Sequence, residues 1–245
     1  MKKDELYKNQ FIETNAEFVL LVHKNLKNRK YENLSNFEKY IIDISKHNNN
    51  LLAAIKEIEY VVTFLKRFPL KSFFKDNDVN EIEYIKYHIE VYYHKLFTIS
   101  ELLKLLINRI YLLGLDERKC NSENLMKKLG DKNPVIIVLK DFDKNHRYYR
   151  RKRTKSVHYG DFVPDKDFDD ISLFSDFHSV IEETNGQLQR GDIPKSVVDY
   201  MIKKYRREQV KTITKNISGI RKFINIFYNI WINVYFEKME EMSNT

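Results

Sequence analysis

The sequence predicts an all-α protein: a bundle of four long antiparallel helices, an additional N-terminal helix, and an irregular excursion over 161–193. Three observations predict this. Only six Gly and four Pro occur in 245 residues, and chains built of many short strands need more turns than that. Four long stretches carry apolar residues at spacings of three and four, the period of a helix with one buried face. Pro69, Pro134 and Pro194 fall at the ends of those stretches rather than inside them.

Taken in order, a shorter helix is expected near Ala16–Leu26. The first long helix runs from about Asn36 to Phe68 on the stripe Tyr40, Ile41, Ile44, Leu51, Leu52, Ile55, Ile58, Val62 and Leu65. Asn48, Asn49 and Asn50 interrupt it with polar residues, and Pro69 ends it. The second, from about Val79 to Leu113, has the longest clean pattern. Gly114 follows where a left-handed cap is wanted. At ~1.5 Å per residue it is about 50 Å long, enough to span a bundle.

The third helix begins at Asn133-Pro134, a capping residue followed by proline in the first turn, where the missing N–H is harmless. It runs into a basic stretch and stops near Tyr159-Gly160. The acidic segment 161–193 reads as a long excursion with at most a short helix around Ile171–Ile181. A last helix starts near Pro194 and continues to Met242 on Val197, Met201, Tyr205, Val210, Ile213, Ile217, Ile220, Phe223, Phe227, Trp231 and Val234. Asn225, Asn229 and Asn233 read as its wet edge. With no internal repeat and no low-complexity linker, one domain is expected over 1–245. Its core spans about 36–242, with a helical addition at 1–30.

Lys and Arg number 43 against 35 Asp and Glu, a net charge of +8. That excess suits an anionic partner, though local clustering carries more weight than the sum. A single cysteine, Cys120, excludes an intrachain disulfide framework and a cysteine-rich zinc site. The charged start MKKDELYKNQ is followed by no apolar core of a signal peptide, and no run approaches a membrane span. A soluble cytoplasmic chain with no membrane partner is the expectation.

The clustering is at 146–161, HRYYRRKRTKSVHYGD. Arg153 and His158 stand five positions apart, among Arg147, Arg150, Arg151, Lys152 and Lys155. An arginine fork can grip two phosphate oxygens and stabilise developing negative charge. A histidine near its ordinary pKa of ~6.5 can move a proton at neutral pH, a step worth ~10²–10⁴-fold. These are the groups needed to cut RNA through its own 2′-hydroxyl. No metal or other cofactor is called for: His88 and His94 lie on different faces of their helix, and no HExxH occurs. On a regular helix, Arg153 and His158 project about 140° apart. Either the helix unwinds at Val157-His158, or two chains bring their copies together.

A long aromatic-rich helix, YIKYHIEVYYHKLFTISELLKLLINRIYLLGL, leads to a second helix that closes on RTKSVHYG, and a long final helix follows. This arrangement resembles the HEPN superfamily, the four-helix nucleotide- and RNA-associated domains of prokaryotic toxins and defence systems. The likeness covers roughly 36–240 and is most specific over 79–160. It implies Arg153 and His158 as the signature pair at a dimer cleft, metal-independent cleavage of single-stranded RNA and a homodimer, and it leaves open whether an antitoxin or immunity protein accompanies the chain. Where the family often has Asn after the arginine, this chain has Thr154. Arg147, Arg150, Arg151, Lys152, Lys155 and Tyr159 are the expected RNA-binding residues.

Two other readings stay open. One is a non-catalytic module that holds RNA, a nucleotide or a protein through the same basic surface. The other is a helical interaction protein that packs a partner on Phe227, Tyr228, Trp231, Tyr235 and Phe236.

Overall fold

Side-chain caps decide where the helices begin. The computed structural model describes residues 6–25, 30–68, 74, 76–77, 79–159, 162–184, 186 and 192–243, the side chains of Asn25 and Tyr159 excepted. Among these are seven α-helices: α1 (Gln10–Asn25), α2 (Asn36–Leu65), α3 (Glu81–Ile110), α4 (Ser122–Leu129), α5 (Pro134–Tyr159), α6 (Lys166–Glu183) and α7 (Lys195–Ser243). No described residue lies in a strand. The chain is all-α, as its composition and periodicity require.

Before α2, Ser35 Oγ accepts from the Glu38 N–H while Glu38 accepts from the Ser35 N–H. Asn80 and Glu83 repeat this reciprocal box before α3. Asn121 caps α4, Asn133 caps α5 and Asp165 caps α6 through their side-chain oxygens. Past the end of α3, Gly114 takes φ +67°; Gly130 after α4 takes φ +83°. Only glycine adopts such angles cheaply. Pro69, expected to end α2, lies outside the described residues; α2 itself ends at Leu65.

The chain divides into two compact units, residues 1–56, 98–147 and 217–245 in one, residues 57–97 and 148–216 in the other. In the first, Tyr40 stacks on Tyr235 at 5.7 Å, and Tyr228 donates to Asn48 Oδ1 at 2.7 Å. Numbers rise along α2 as they fall along α7, so the two run antiparallel. Asn48 is therefore a buried hydrogen-bond partner inside an unbroken helix rather than an interruption. Phe11 of α1 contacts Tyr228, Trp231 and Tyr235 at 5.1–5.9 Å. Each such ring contributes roughly 1.5–3 kcal/mol by leaving water.

This core corrects two expectations. Phe227, Tyr228, Trp231 and Tyr235 are fully buried against their own chain, so of the five rings expected to pack a partner only Phe236 is exposed. Asn225 and Asn229 both accept from Asn9 Nδ2, at 2.8 and 2.9 Å, and so hold the N-terminal segment instead of forming a wet edge. Asn233 is exposed.

In the second unit, Lys95 pairs with Glu57 at 2.7 Å and Tyr84 donates to the Phe64 carbonyl at 3.2 Å, which sets α2 and α3 antiparallel. Tyr149 meets Tyr93 at 5.2 Å and Ser156 donates to Glu90, so α5 runs antiparallel to α3. Arg206 pairs with Glu81 at 3.1 Å and Asn216 donates to Tyr92 at 3.0 Å, so α7 runs parallel to α3. That is the up-down-up-down order of a four-helix bundle.

The segment expected to be irregular holds α6, 18 residues long. Asp165 explains it: one carboxylate oxygen caps Phe168 N–H, and the other accepts from Tyr205 of α7 at 2.9 Å. Phe168 and Ile171 bury the face that this clasp turns inward.

Candidate nucleic-acid interface

Helix α5 is regular through Tyr159, with no unwinding at Val157-His158. Arg153 and His158 therefore project about 140° apart and about 7.5 Å along the axis. Within one chain they do not face each other, and each has its own surroundings.

Arg153 is half-buried. Its guanidinium carbon lies 4.3 Å from the centroid of the Phe97 ring of α3, and that of Arg150 lies 5.8 Å from the same centroid. A flat, weakly hydrated cation stacks well on an aromatic face, typically for ~0.5–2 kcal/mol. The Arg153 Nε–H is buried without a hydrogen-bond partner among the described residues. Three residues on, Ser156 is buried and donates its hydroxyl to the Glu90 carboxylate. His94 Nε2 lies 3.9 Å from the same oxygen. Phe97 and Glu90 thus hold the inward face of this turn.

His158 is exposed, as are Arg151, Thr154 and Lys155. At spacings of three and four, Arg151, Thr154 and His158 form one stripe, with Lys155 at its flank. The imidazole is thus set among cations on the solvent side of α5, opposite the face that carries Arg153. Thr154 Oγ1 donates back to the Arg150 carbonyl at 3.0 Å, so its hydroxyl proton is already used by its own helix.

The other expected contact residues divide. Arg147, at the end of the first unit, and Arg150 are exposed. Lys152 bends back instead, donating to the Val163 carbonyl at 2.8 Å, with its ammonium 5.9 Å from the Tyr148 ring centroid. It ties the segment after α5 to the helix. Tyr148 does the same through the Pro164 carbonyl at 3.0 Å. Tyr149 packs between Tyr92 and Tyr93 and meets Asn216 at 2.6 Å. Burial is the main cause that pushes the Tyr92 and Tyr93 phenols far up, so both stay protonated. Gly160, Asp161 and the side chain of Tyr159 lie outside the described residues.

A family model described as Cthe2314-like HEPN matches residues 28–240. The chain belongs to the HEPN superfamily. Neither curated proteins nor solved structures give a match to it. HEPN membership points to a nuclease or a nucleotide-related module.

The family match spans all of α2 to α6 and nearly all of α7, so the stripe on α5 lies well inside it. Among the described residues, no three His, Cys, Asp or Glu side chains gather to hold a metal ion. No described helix is long and apolar enough to cross a membrane. Sequence reasoning did not find Phe97, Glu90 or Ser156 in this HEPN chain. The usable signal was that Glu90 and Phe97 lie two turns apart on one face of α3 and so address the same stretch of a neighbouring helix.

Proposed function

We propose that this HEPN chain is a metal-independent endoribonuclease, a toxin or phage-defence effector that works as a homodimer. The observation that carries the reading is the division of α5. The helix offers an exposed imidazole within a cationic stripe on one face. On the other it offers a guanidinium braced on Phe97, its Nε–H unused among the described residues. Neither face alone has both groups. Two chains related by a two-fold axis would supply the arginine of one opposite the histidine of the other.

At such a cleft, His158 takes the proton from the RNA 2′-hydroxyl and the freed oxygen attacks the adjacent phosphorus. The bond to the 5′-oxygen breaks, that oxygen takes a proton from solvent water, and His158 then releases its own proton to solvent. The products are a 2′,3′-cyclic phosphate and a 5′-hydroxyl. Arg153 grips the equatorial oxygens, where negative charge builds. Arg150, Arg151 and Lys155 track the phosphates on either side, a contribution that weakens with added salt. Lys152 serves this track by fixing the segment after α5.

Purified protein incubated with single-stranded RNA in EDTA is expected to yield cyclic-phosphate ends. His158→Ala should lower the rate by ~100-fold or more while the helical signal is unchanged. A mutant that cuts as fast as wild type removes His158 from the chemistry. Induced expression should arrest growth with wild type and not with His158→Ala, and a cognate antitoxin or immunity protein would relieve it.

The divergence of Arg153 and His158 on an unbroken helix also favours a second reading, a binding module without catalysis. It predicts salt-sensitive RNA binding with no product at any protein concentration.

A further inference from the structure

Helices α2 and α3, with Phe68 and Phe74 between them, gather six aromatic rings in one unit: Phe64, Phe68, Phe74, Tyr84, Tyr87 and His88. Phe68 meets Phe74 at 5.7 Å and Tyr84 at 5.3 Å. Tyr84 lies edge-on to His88 at 4.4 Å, and Phe64 stacks on His88 at 5.3 Å and 26°. Rings normally cluster to leave water altogether. Among the described residues this cluster does not close. It opens on a cavity of about 590 Å³ lined by Phe74, Tyr84, Tyr87 and His88 with Asn77, Val79 and Glu83. Tyr87 keeps 63% of its surface exposed and Phe64 keeps 50%. The volume falls within the ~300–1,000 Å³ of small-molecule sites.

The polar groups narrow what fits. His88 is only 9% exposed, and neither of its ring nitrogens has a hydrogen-bond partner among the described residues. Burial lowers its pKa, so it stands neutral, with one nitrogen to donate and one to accept. The exposed Glu83 carboxylate at the rim uses one oxygen to accept from the Asn80 N–H in the cap of α3 and has the other to accept from an N–H of a ligand. An aliphatic ligand would leave the imidazole edge unbonded, at a cost. A flat, uncharged ring with donors and acceptors along its edge satisfies both the aromatic walls and the imidazole.

We propose that this cavity binds a nucleobase, stacked on Tyr87 and hydrogen-bonded at its edge by His88. The inference rests on the RNA reading for its biological ligand, a base of the cleaved strand, and not for its chemistry. The four uncharged ribonucleosides, titrated by calorimetry at about 0.5 M salt where charge contacts are screened, separate the two. At least one nucleoside should bind saturably. Tyr87→Ala and His88→Phe should each weaken it roughly tenfold or more. His88→Gln, which keeps a donor and an acceptor, should bind better than His88→Phe, and His158→Ala should bind like wild type. Absence of binding by all four nucleosides, or equal binding by Tyr87→Ala and wild type, overturns the site. RNA cleavage without nucleoside binding discards this cavity and keeps the nuclease; nucleoside binding without cleavage does the reverse.

Discussion

Arg153 owes its position to Phe97, and that dependence sets what a substitution should do. Lysine at 153 keeps the charge but loses the planar fork and most of the stacking, because an ammonium is a compact, strongly hydrated point charge. Arg153→Lys is therefore expected to slow RNA cleavage by about tenfold or more with little change in thermal stability. Cleavage at the wild-type rate would make the arginine a surface charge only. Two other residues set a pH response. Burial is the main cause lowering the pKa of both His88 and His146, the Phe142 carbonyl partly opposing it at His146. The unfolded chain then binds protons that the folded chain refuses. Stability is full above the unfolded value near ~6.5 and is lost as pH falls through it toward the lower folded values. Denaturant melts at pH 7.5 and 5 should show that loss, and His88→Phe should reduce it. An equal loss in the variant would assign the effect to other groups.

At the scale of elements, α6 depends on a single carboxylate. Asp165 caps the helix and accepts from Tyr205, with Gln209 Nε2 at 3.3 Å from the same oxygen. Asp165→Ala removes the cap and leaves the buried Tyr205 hydroxyl unsatisfied, an expected cost of about 1–3 kcal/mol. Hydrogen exchange over 166–183 should speed up, with the four long helices unaffected. Uniform acceleration along the chain would show that α6 does not open separately. This helix was not legible in the sequence because its apolar residues lie on every side. Phe168 and Ile171 are buried while Leu173, Phe177 and Val180 are exposed, so no period stands out. The long helices were legible because period and cap coincide: Asn133-Pro134 opens α5 where expected, and Gly114 turns left-handed after α3. The Arg-x4-His spacing was equally visible. The surroundings of each group were not, because they depend on α5 staying helical past Val157 and on Phe97 and Glu90, which are distant in sequence.

For the whole molecule, the unbroken α5 turns the placement of two side chains into a question about two chains. If the cleft takes Arg153 from one protomer and His158 from its partner, a dimer has two such clefts. A mixed dimer of Arg153→Ala and His158→Ala then carries one cleft with both groups intact and one with neither. The direct measurement is RNA cleavage by the two inactive variants, unfolded together, refolded as a mixture and assayed in EDTA. Random pairing puts both variants in about half of the dimers, so activity should return to about a quarter of the wild-type value. A mixture as inactive as either variant alone, with exchange of protomers verified, would contradict a cleft shared between chains.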